Sequence, residues 1–362
     1  MNKLLKTSIV FCLIFFQTTL IEAQEQIFKH KQIITDGRVW DIAFEDLNKD
    51  GSTDMVIANW VKPPTIYYND GIGGFNNSKT LTCNEVEEGF YIGHSVGIGD
   101  FNKDKNPDIF YVFNGRNNLI YLSDNGNFTK SDTINTNQSD GLYVSLADID
   151  NDQDIDALIT NYKQANILWT NDGSGNFKKN STDFGSNGYN TDLGDLNNDG
   201  YLDVICSING AVNIWFNSGN NNYEQSTQTI GYTESFGRVK LADMDNDQDL
   251  DIVLANRNAG GSVWTNDGTG VFSKPISNLA KSSTMCVGDI ELDGLNDIIF
   301  GNSIWLNKGN GQFTQQGTLE IEGQILGLWL NDVDKDGDLD LFYSTSIPEN
   351  ALTMMKNTTK KE

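Results

Sequence analysis

Basic residues, proline, cysteine and histidine are all scarce in this 362-residue chain, which has 25 Lys and Arg against 50 Asp and Glu, 5 Pro, 4 Cys and 2 His. A formal net charge of −25 argues against a nucleic-acid binder, which needs a basic stripe to displace counterions from phosphate. Cys12 falls in the N-terminal apolar run, leaving Cys83, Cys206 and Cys286, an odd count that makes no disulfide framework. Cys206 and Cys286 lie within apolar, strand-like runs and read as small buried hydrophobes. No apolar run is long enough to span a bilayer, so no transmembrane segment is expected. P-loop, G-x-S-x-G, HExxH and CxxC motifs are missing too, so nucleotide hydrolysis, serine hydrolase chemistry and zinc peptidase activity have no support.

What is present suits a folded acidic protein: 38% hydrophobic and 10% aromatic residues suffice for a large core. The 35 glycines fall between short Val/Ile/Leu/Tyr runs, which points to strands joined by tight turns. Residues 1–23 read as an export signal, with Lys3 and Lys6 ahead of apolar Ser8 to Phe16 and a small Ala23 at the cleavage point. The expectation is a periplasmic or secreted protein, a monomer, with one domain over residues 24–362. Phe11 stands where a lipoprotein signal wants a small residue before its cysteine, so no lipid anchor is expected.

A repeat organises the chain. DLNKDGSTD, DFNKDKNPD, DIDNDQDID, DLNNDGYLD, DMDNDQDLD, DIELDGLND and DVDKDGDLD begin at Asp46, Asp100, Asp148, Asp195, Asp243, Asp289 and Asp332, spaced 54, 48, 47, 48, 46 and 43 residues apart. Each is flanked by apolar runs, such as Val239 to Leu241 before and Ile252 to Ala255 after. In the first six, a third run enters a Gly-rich turn and an aromatic, as in Ile167 to Phe177. Strand, acidic loop, strand, strand, turn and strand make one four-stranded propeller blade. Repeat seven stops at Asn357 without its fourth strand, and Ile27 to Ile33 resembles the missing one. The fold expected is all-β: a seven-bladed β-propeller closed by the N-terminal strand, which removes open sheet edges.

These segments resemble the FG-GAP/VCBS repeats of integrin α-chain-type β-propellers, over residues 26 to 357. The resemblance implies fold and metal binding. It says less about activity, because the family includes adhesion modules, lectins, carbohydrate lyases and sugar dehydratases.

In a D-x-[DN]-x-[DN]-G loop, side chains at positions 1, 3 and 5 converge on a hard cation that takes six to eight oxygens. Here position 9 is always Asp, the shorter FG-GAP-like spacing. The expected calcium ligands are Asp46, Asn48, Asp50 and Asp54; Asp100, Asn102, Asp104 and Asp108; Asp148, Asp150, Asp152 and Asp156; Asp195, Asn197, Asp199 and Asp203. The remaining three loops offer Asp243, Asp245, Asp247 and Asp251; Asp289, Glu291, Asp293 and Asp297; Asp332, Asp334, Asp336 and Asp340. Position 6 is Gly in four loops but Lys105, Gln153 and Gln248 in three, where a left-handed turn costs ~1 kcal/mol and weaker binding is expected. Up to seven structural Ca²⁺ are expected, and no organic cofactor. They would bring the charge from −25 to −11 and stabilise the native state.

If the acidic loops mark the bottom of the ring, positions six and five before each leading Asp enter the funnel from the top. They read Trp40/Asp41, His94/Ser95, Leu142/Tyr143, Tyr189/Asn190, Gly237/Arg238, Ser283/Thr284 and Leu326/Gly327. All four arginines, Arg38, Arg116, Arg238 and Arg257, map to this face with Lys62, Lys163 and Lys240. That segregation points to an anionic ligand, since guanidinium forks match carboxylate geometry; chance placement or inter-blade ion pairs are the alternative. His94 with Tyr143 and Tyr189 would make an acid/base set beside a uronate, with Arg238 or Lys240 stabilising enolate-like charge. Trp40 and Trp60 would stack on a sugar ring, with Asp41, Arg116, Asn190 and Arg257 as further binding residues. Trp169, Trp215, Trp264 and Trp305 recur in the third strand and read as core, and His30 as structural. Two functions remain open: elimination on an acidic polysaccharide or oligosaccharide by a lyase or dehydratase, and a non-catalytic lectin-like, adhesion or protein-binding propeller.

Overall fold

The computed structural model describes residues 27–359 apart from 36, 84–91, 132–133, 135–139, 210, 220–221, 232–236, 274 and 348–350. The expected export segment and Cys12 lie outside the described residues. Among them no helix is long and apolar enough to cross a membrane.

Among the described residues every regular element is a strand, and the strands form seven sheets, one per repeat. The innermost strands are Val39–Glu45, Gly93–Gly99, Gly141–Ala147, Gly188–Gly194, Val239–Ala242, Met285–Gly288 and Ile325–Asn331. Each runs into its acidic loop and then into a second strand beginning at the position-9 aspartate. Second strands such as Asp108–Phe113 are buried along their whole length, because blades pack on both faces. Continuous apolar runs rather than alternation are the sequence mark of that burial.

The last sheet is ordered Phe28–Thr35, Leu352–Asn357, Asp340–Thr345, Ile325–Asn331, so the N-terminal strand supplies the outer strand of blade seven. Phe28 pairs with Asn357 and Ile33 with Thr353, and exposed His30 sits at the bulge between them with φ of 53°. Blade four gains a short strand, Ile230–Gly231. Blade five departs from the four-strand expectation: its outer strand shrinks to the bridges Val263–Ile276 and Asn266–Phe272. Pro275, lacking an N–H, stands in that segment. Trp169 and Trp215 are buried in the blade cores, and Trp264 and Trp305 pack against them, as expected.

Neighbouring blades are fastened by a device the repeat carries at the end of its third strand. Asn171, Asn217, Asn266, Asn307, Asn357 and Asn69 each donate from Nδ2 to the position-2 carbonyl of the preceding blade's loop: Phe101, Ile149, Leu196, Met244, Ile290 and Val333, at 2.7–3.0 Å. In blade two the equivalent residue is Ser123, too short to reach Leu47. The position-9 aspartates are hubs in the same region. Asp203, for example, accepts from Leu196 N at 2.9 Å and Asn217 N at 2.8 Å.

Candidate functional site

The acidic loops share one backbone shape. Position 6 is left-handed in all seven, with φ from 66° at Lys105 to 93° at Gly337. Position 4 is left-handed as well, from Leu292 at 58° to Asn246 at 66°, a requirement the spacing alone did not reveal. Turned outward in this way, position-4 side chains reach the next loop: Lys49 Nζ donates to Asn106 Oδ1 at 2.6 Å and Asn198 Nδ2 to Asp249 Oδ1 at 2.8 Å. Lys335 of loop seven donates to the Gly51 carbonyl of loop one, so these contacts also join the ends of the ring.

The seven loops are not equivalent toward a cation. In loops one, two and four, position 3 is Asn, and its amide donates to the position-5 carboxylate: Asn48 to Asp50 at 2.9 Å, Asn102 to Asp104 at 3.1 Å and Asn197 to Asp199 at 3.2 Å. In loop six, Lys308 pairs with Glu291. In loops three, five and seven carboxylates converge: Asp148, Asp150 and Asp156; Asp243, Asp245 and Asp251; Asp332, Asp334 and Asp336 each bring oxygens within 4.8 Å of one another, although in loop seven Lys356 also pairs with Asp334 at 2.7 Å. The same loops hold buried carboxylate oxygens without a hydrogen-bond partner, on Asp150, Asp245, Asp332, Asp334 and Asp340. Like charges and orphaned oxygens so placed fit a hard divalent cation, whose ligands are carboxylate and carbonyl oxygens. Convergence thus follows Asp at position 3, whereas the sequence argument ranked the loops by Gly at position 6 and placed three and five among the weak ones.

The opposite end of the ring carries the funnel. Strict strand alternation would turn positions −6 and −5 before the leading Asp to opposite faces. A β-bulge resolves this. In blade one Val39 pairs with Asn59 and Asp41 with Ala58, leaving Trp40 as the extra residue, and His94, Leu142 and Leu326 are extra in blades two, three and seven. Bulges re-aim side chains in this way beside functional sites. Trp40, His94, Leu142, Tyr143, Tyr189, Asn190 and Arg238 line one cavity of about 160 Å³.

Within it, the His94 ring stacks on Trp40, centroids 4.9 Å apart and 25° between planes, and meets Trp60 edge-on at 5.4 Å. Burial, with Arg238 adding to it, pushes His94 down to about 4, so at neutral pH it carries no charge. Burial, with the negative charges of Asp41 and Asp192 adding to it, holds the Tyr143 phenol well above its ordinary range. Arg238 donates to the Trp40 carbonyl at 3.3 Å and lies over the Trp329 ring, 5.8 Å from its centroid. Asp41 is 5% exposed. Its carboxylate accepts from Ser95 Oγ at 2.5 Å and Trp329 Nε1 at 3.2 Å. Burial raises the Asp41 carboxyl despite Arg238 and those donors.

A second cavity of about 250 Å³ is lined by Asp41, Tyr143, Asn190, Arg238, Lys240, Cys286 and Trp329 among others. Lys240 is engaged by Asp192 at 2.8 Å. Trp329 and Cys286 were not anticipated. Both sit at position −3, which shares a strand face with −5, so extending the same periodicity inward would have found them. Gly327 makes room for the indole: a Cβ there would lie 2.0 Å from the Trp329 ring. Arg38, Arg116 and Arg257 belong to the same end of the ring by their place in the chain, before an inner strand and in loops after second strands, yet none lines either cavity. Trp60 joins only through its rings.

No curated protein matches the chain in sequence. Among solved structures it is similar to a complex of BBS1N with ARL6DN (TM-score 0.62, 12% identity, 91% of this chain and 97% of that one). It is also similar to the BP39L lectin from Burkholderia pseudomallei (0.66, 9%, 89% and 96%) and to YCF48 bound to D1 peptide (0.58, 11%, 92% and 96%). At such identities the likeness is one of fold. A family model described as FG-GAP-like repeat matches residues 46–111, 100–159, 148–206, 195–254 and 243–300, and with seven repeats folded as seven blades, the chain belongs to the FG-GAP-like repeat family of β-propellers.

Proposed function

We propose that this propeller binds an acidic carbohydrate in its axial funnel, lectin-like. One observation carries the reading: a cavity about the size of one that holds a benzene ring (roughly 150 Å³) combines the stacked Trp40 and His94 with the Arg238 guanidinium. An aromatic face takes the C–H side of a sugar ring, and a guanidinium takes its carboxylate. Calcium at the converging loops would supply positive charge to clustered carboxylates and hold the loop ends of the blades. Export by the segment read as a signal at residues 1–23 would put the protein outside the cytoplasm in this reading.

Elimination at a uronate is the second reading, favoured by the meeting of His94, Tyr143, Tyr189 and Arg238 in one cavity. Proton abstraction needs a base of matched strength, and the environment tunes these groups the wrong way. His94 at about 4 is a weak base, and Tyr143 keeps its proton. Calorimetry with uronate oligosaccharides, run beside ultraviolet absorbance for the conjugated double bond, separates the two. Binding with a flat trace that Trp40→Ala weakens supports the lectin reading. A rising trace that His94→Ala abolishes would replace it with the lyase reading.

A further inference from the structure

The two funnel cavities are stacked along the ring axis. The upper one is lined only by residues at positions −6 and −5, the lower by residues from −5 to −2. Tyr143, Asn190 and Arg238 belong to both and form the waist. At ~3.3 Å per residue, the lower floor lies up to about 13 Å below the mouth. Neither chamber alone reaches the ~300 Å³ typical of small-ligand sites, whereas the two in series do.

The chemistry is also arranged along the axis. Above the waist the wall is aromatic, and the Trp40 indole N–H is buried without an acceptor. At the waist Arg238 commits one long hydrogen bond to the Trp40 carbonyl. Below it, Ser95 and Trp329 donate to Asp41, which also faces the Arg238 charge, and Asp192 pairs with Lys240. Free donors therefore gather at the waist, where an acceptor-rich anion fits. Inner strands wall the funnel on its sides, so a ligand filling both chambers lies along the ring axis.

We propose, resting on the reading of the funnel as a carbohydrate site, that it takes an oligosaccharide end-on and two sugar units deep. The terminal acidic unit occupies the lower chamber with its carboxylate on Arg238, and the next ring lies against Trp40 and His94. The protein is thus a reader of acidic chain ends.

Cys286, on the wall of the lower chamber, is a built-in reporter read at alkaline pH, because burial holds its thiol well above the ordinary range. Alkylation of the full chain by N-ethylmaleimide, followed by peptide mass spectrometry with Cys83 as control, reads its accessibility. Calorimetry runs alongside with galacturonate, mannuronate and guluronate trisaccharides. A trisaccharide that binds, at about ten times its Kd, should slow Cys286 about tenfold, the share of sites left free, without slowing Cys83. Its carboxyl-reduced form at the same concentration should not. Shortening the polymer should raise binding capacity per unit mass, because ends multiply. Bound trisaccharide with Cys286 reacting at its free rate, or capacity independent of polymer length, overturns end-on binding and leaves the carbohydrate reading intact. Absence of binding by all the uronates removes that reading, and this inference with it.

Discussion

Asp245→Asn should change stability in opposite directions with and without calcium. Asp243, Asp245 and Asp251 bring oxygens within 4.8 Å of one another, and one Asp245 oxygen is buried without a partner. In metal-free protein two such charges repel by about 1 kcal/mol if fully water-screened and by about 3 kcal/mol at a surface-like dielectric. Neutralising Asp245 removes that repulsion and leaves an amide able to donate to Asp247, as Asn48 does to Asp50 in loop one. With calcium at about 100 times its Kd, a site contributes about 2.7 kcal/mol, which the variant loses as its ligand and charge disappear. Calorimetric Tm measured on metal-free and calcium-saturated protein tests this, at roughly 2 °C or more per kcal/mol for a large domain. The variant should melt above wild type in the first state and below it in the second. A shift of the same sign in both would refute convergence as the mark of a cation site, and Asp199→Asn in loop four serves as the comparison.

Metal-free protein should also be more stable at pH 5 than at pH 8. Burial, first among the causes, pushes Asp54, Asp108, Asp203 and Asp297 up to about 6 and Asp156, Asp251 and Asp340 to about 7. With folded values above the unfolded 3.8, their contribution is present below about pH 4 and is lost as pH rises through 6 to 7; a metal-free Tm that rises over that window contradicts it. Asn266→Ala leaves the buried Leu196 carbonyl and the part-buried Leu250 carbonyl without this donor and should cost about 1–3 kcal/mol in chemical denaturation, while Ser123→Asn, completing the seventh inter-blade fastening, should raise the midpoint. Removing residues 27–35 strips the outer strand from blade seven and should lower the Tm of the whole ring in one transition; an unchanged Tm would show that the pairing of Phe28 with Asn357 does not hold it closed.

Seven acidic loops at near-constant spacing, with apolar runs on either side, determined the blade number, the fold and the closing strand, because each repeat can bury its hydrophobic faces only against its neighbours. In blades one to five, positions −6 and −5 were legible as cavity lining for the same reason, variable polar residues in an otherwise repetitive pattern, whereas Ser283, Thr284, Leu326 and Gly327 of blades six and seven line neither cavity. Four features came only with the tertiary structure. Trp40 and His94 stack across two blades because bulges turn both inward, and pairing register is a property of two strands rather than one. Trp329 reaches Asp41 from 288 residues away, a neighbour created by ring closure. Of the four arginines Arg238 alone lines the two cavities described, since Arg38, Arg116 and Arg257 share that end of the ring without reaching them. Loops three, five and seven stand apart because an Asn amide at position 3 donates to the neighbouring carboxylate in loops one, two and four and Lys308 pairs with Glu291 in loop six, whereas Asp at position 3 brings carboxylate oxygens together.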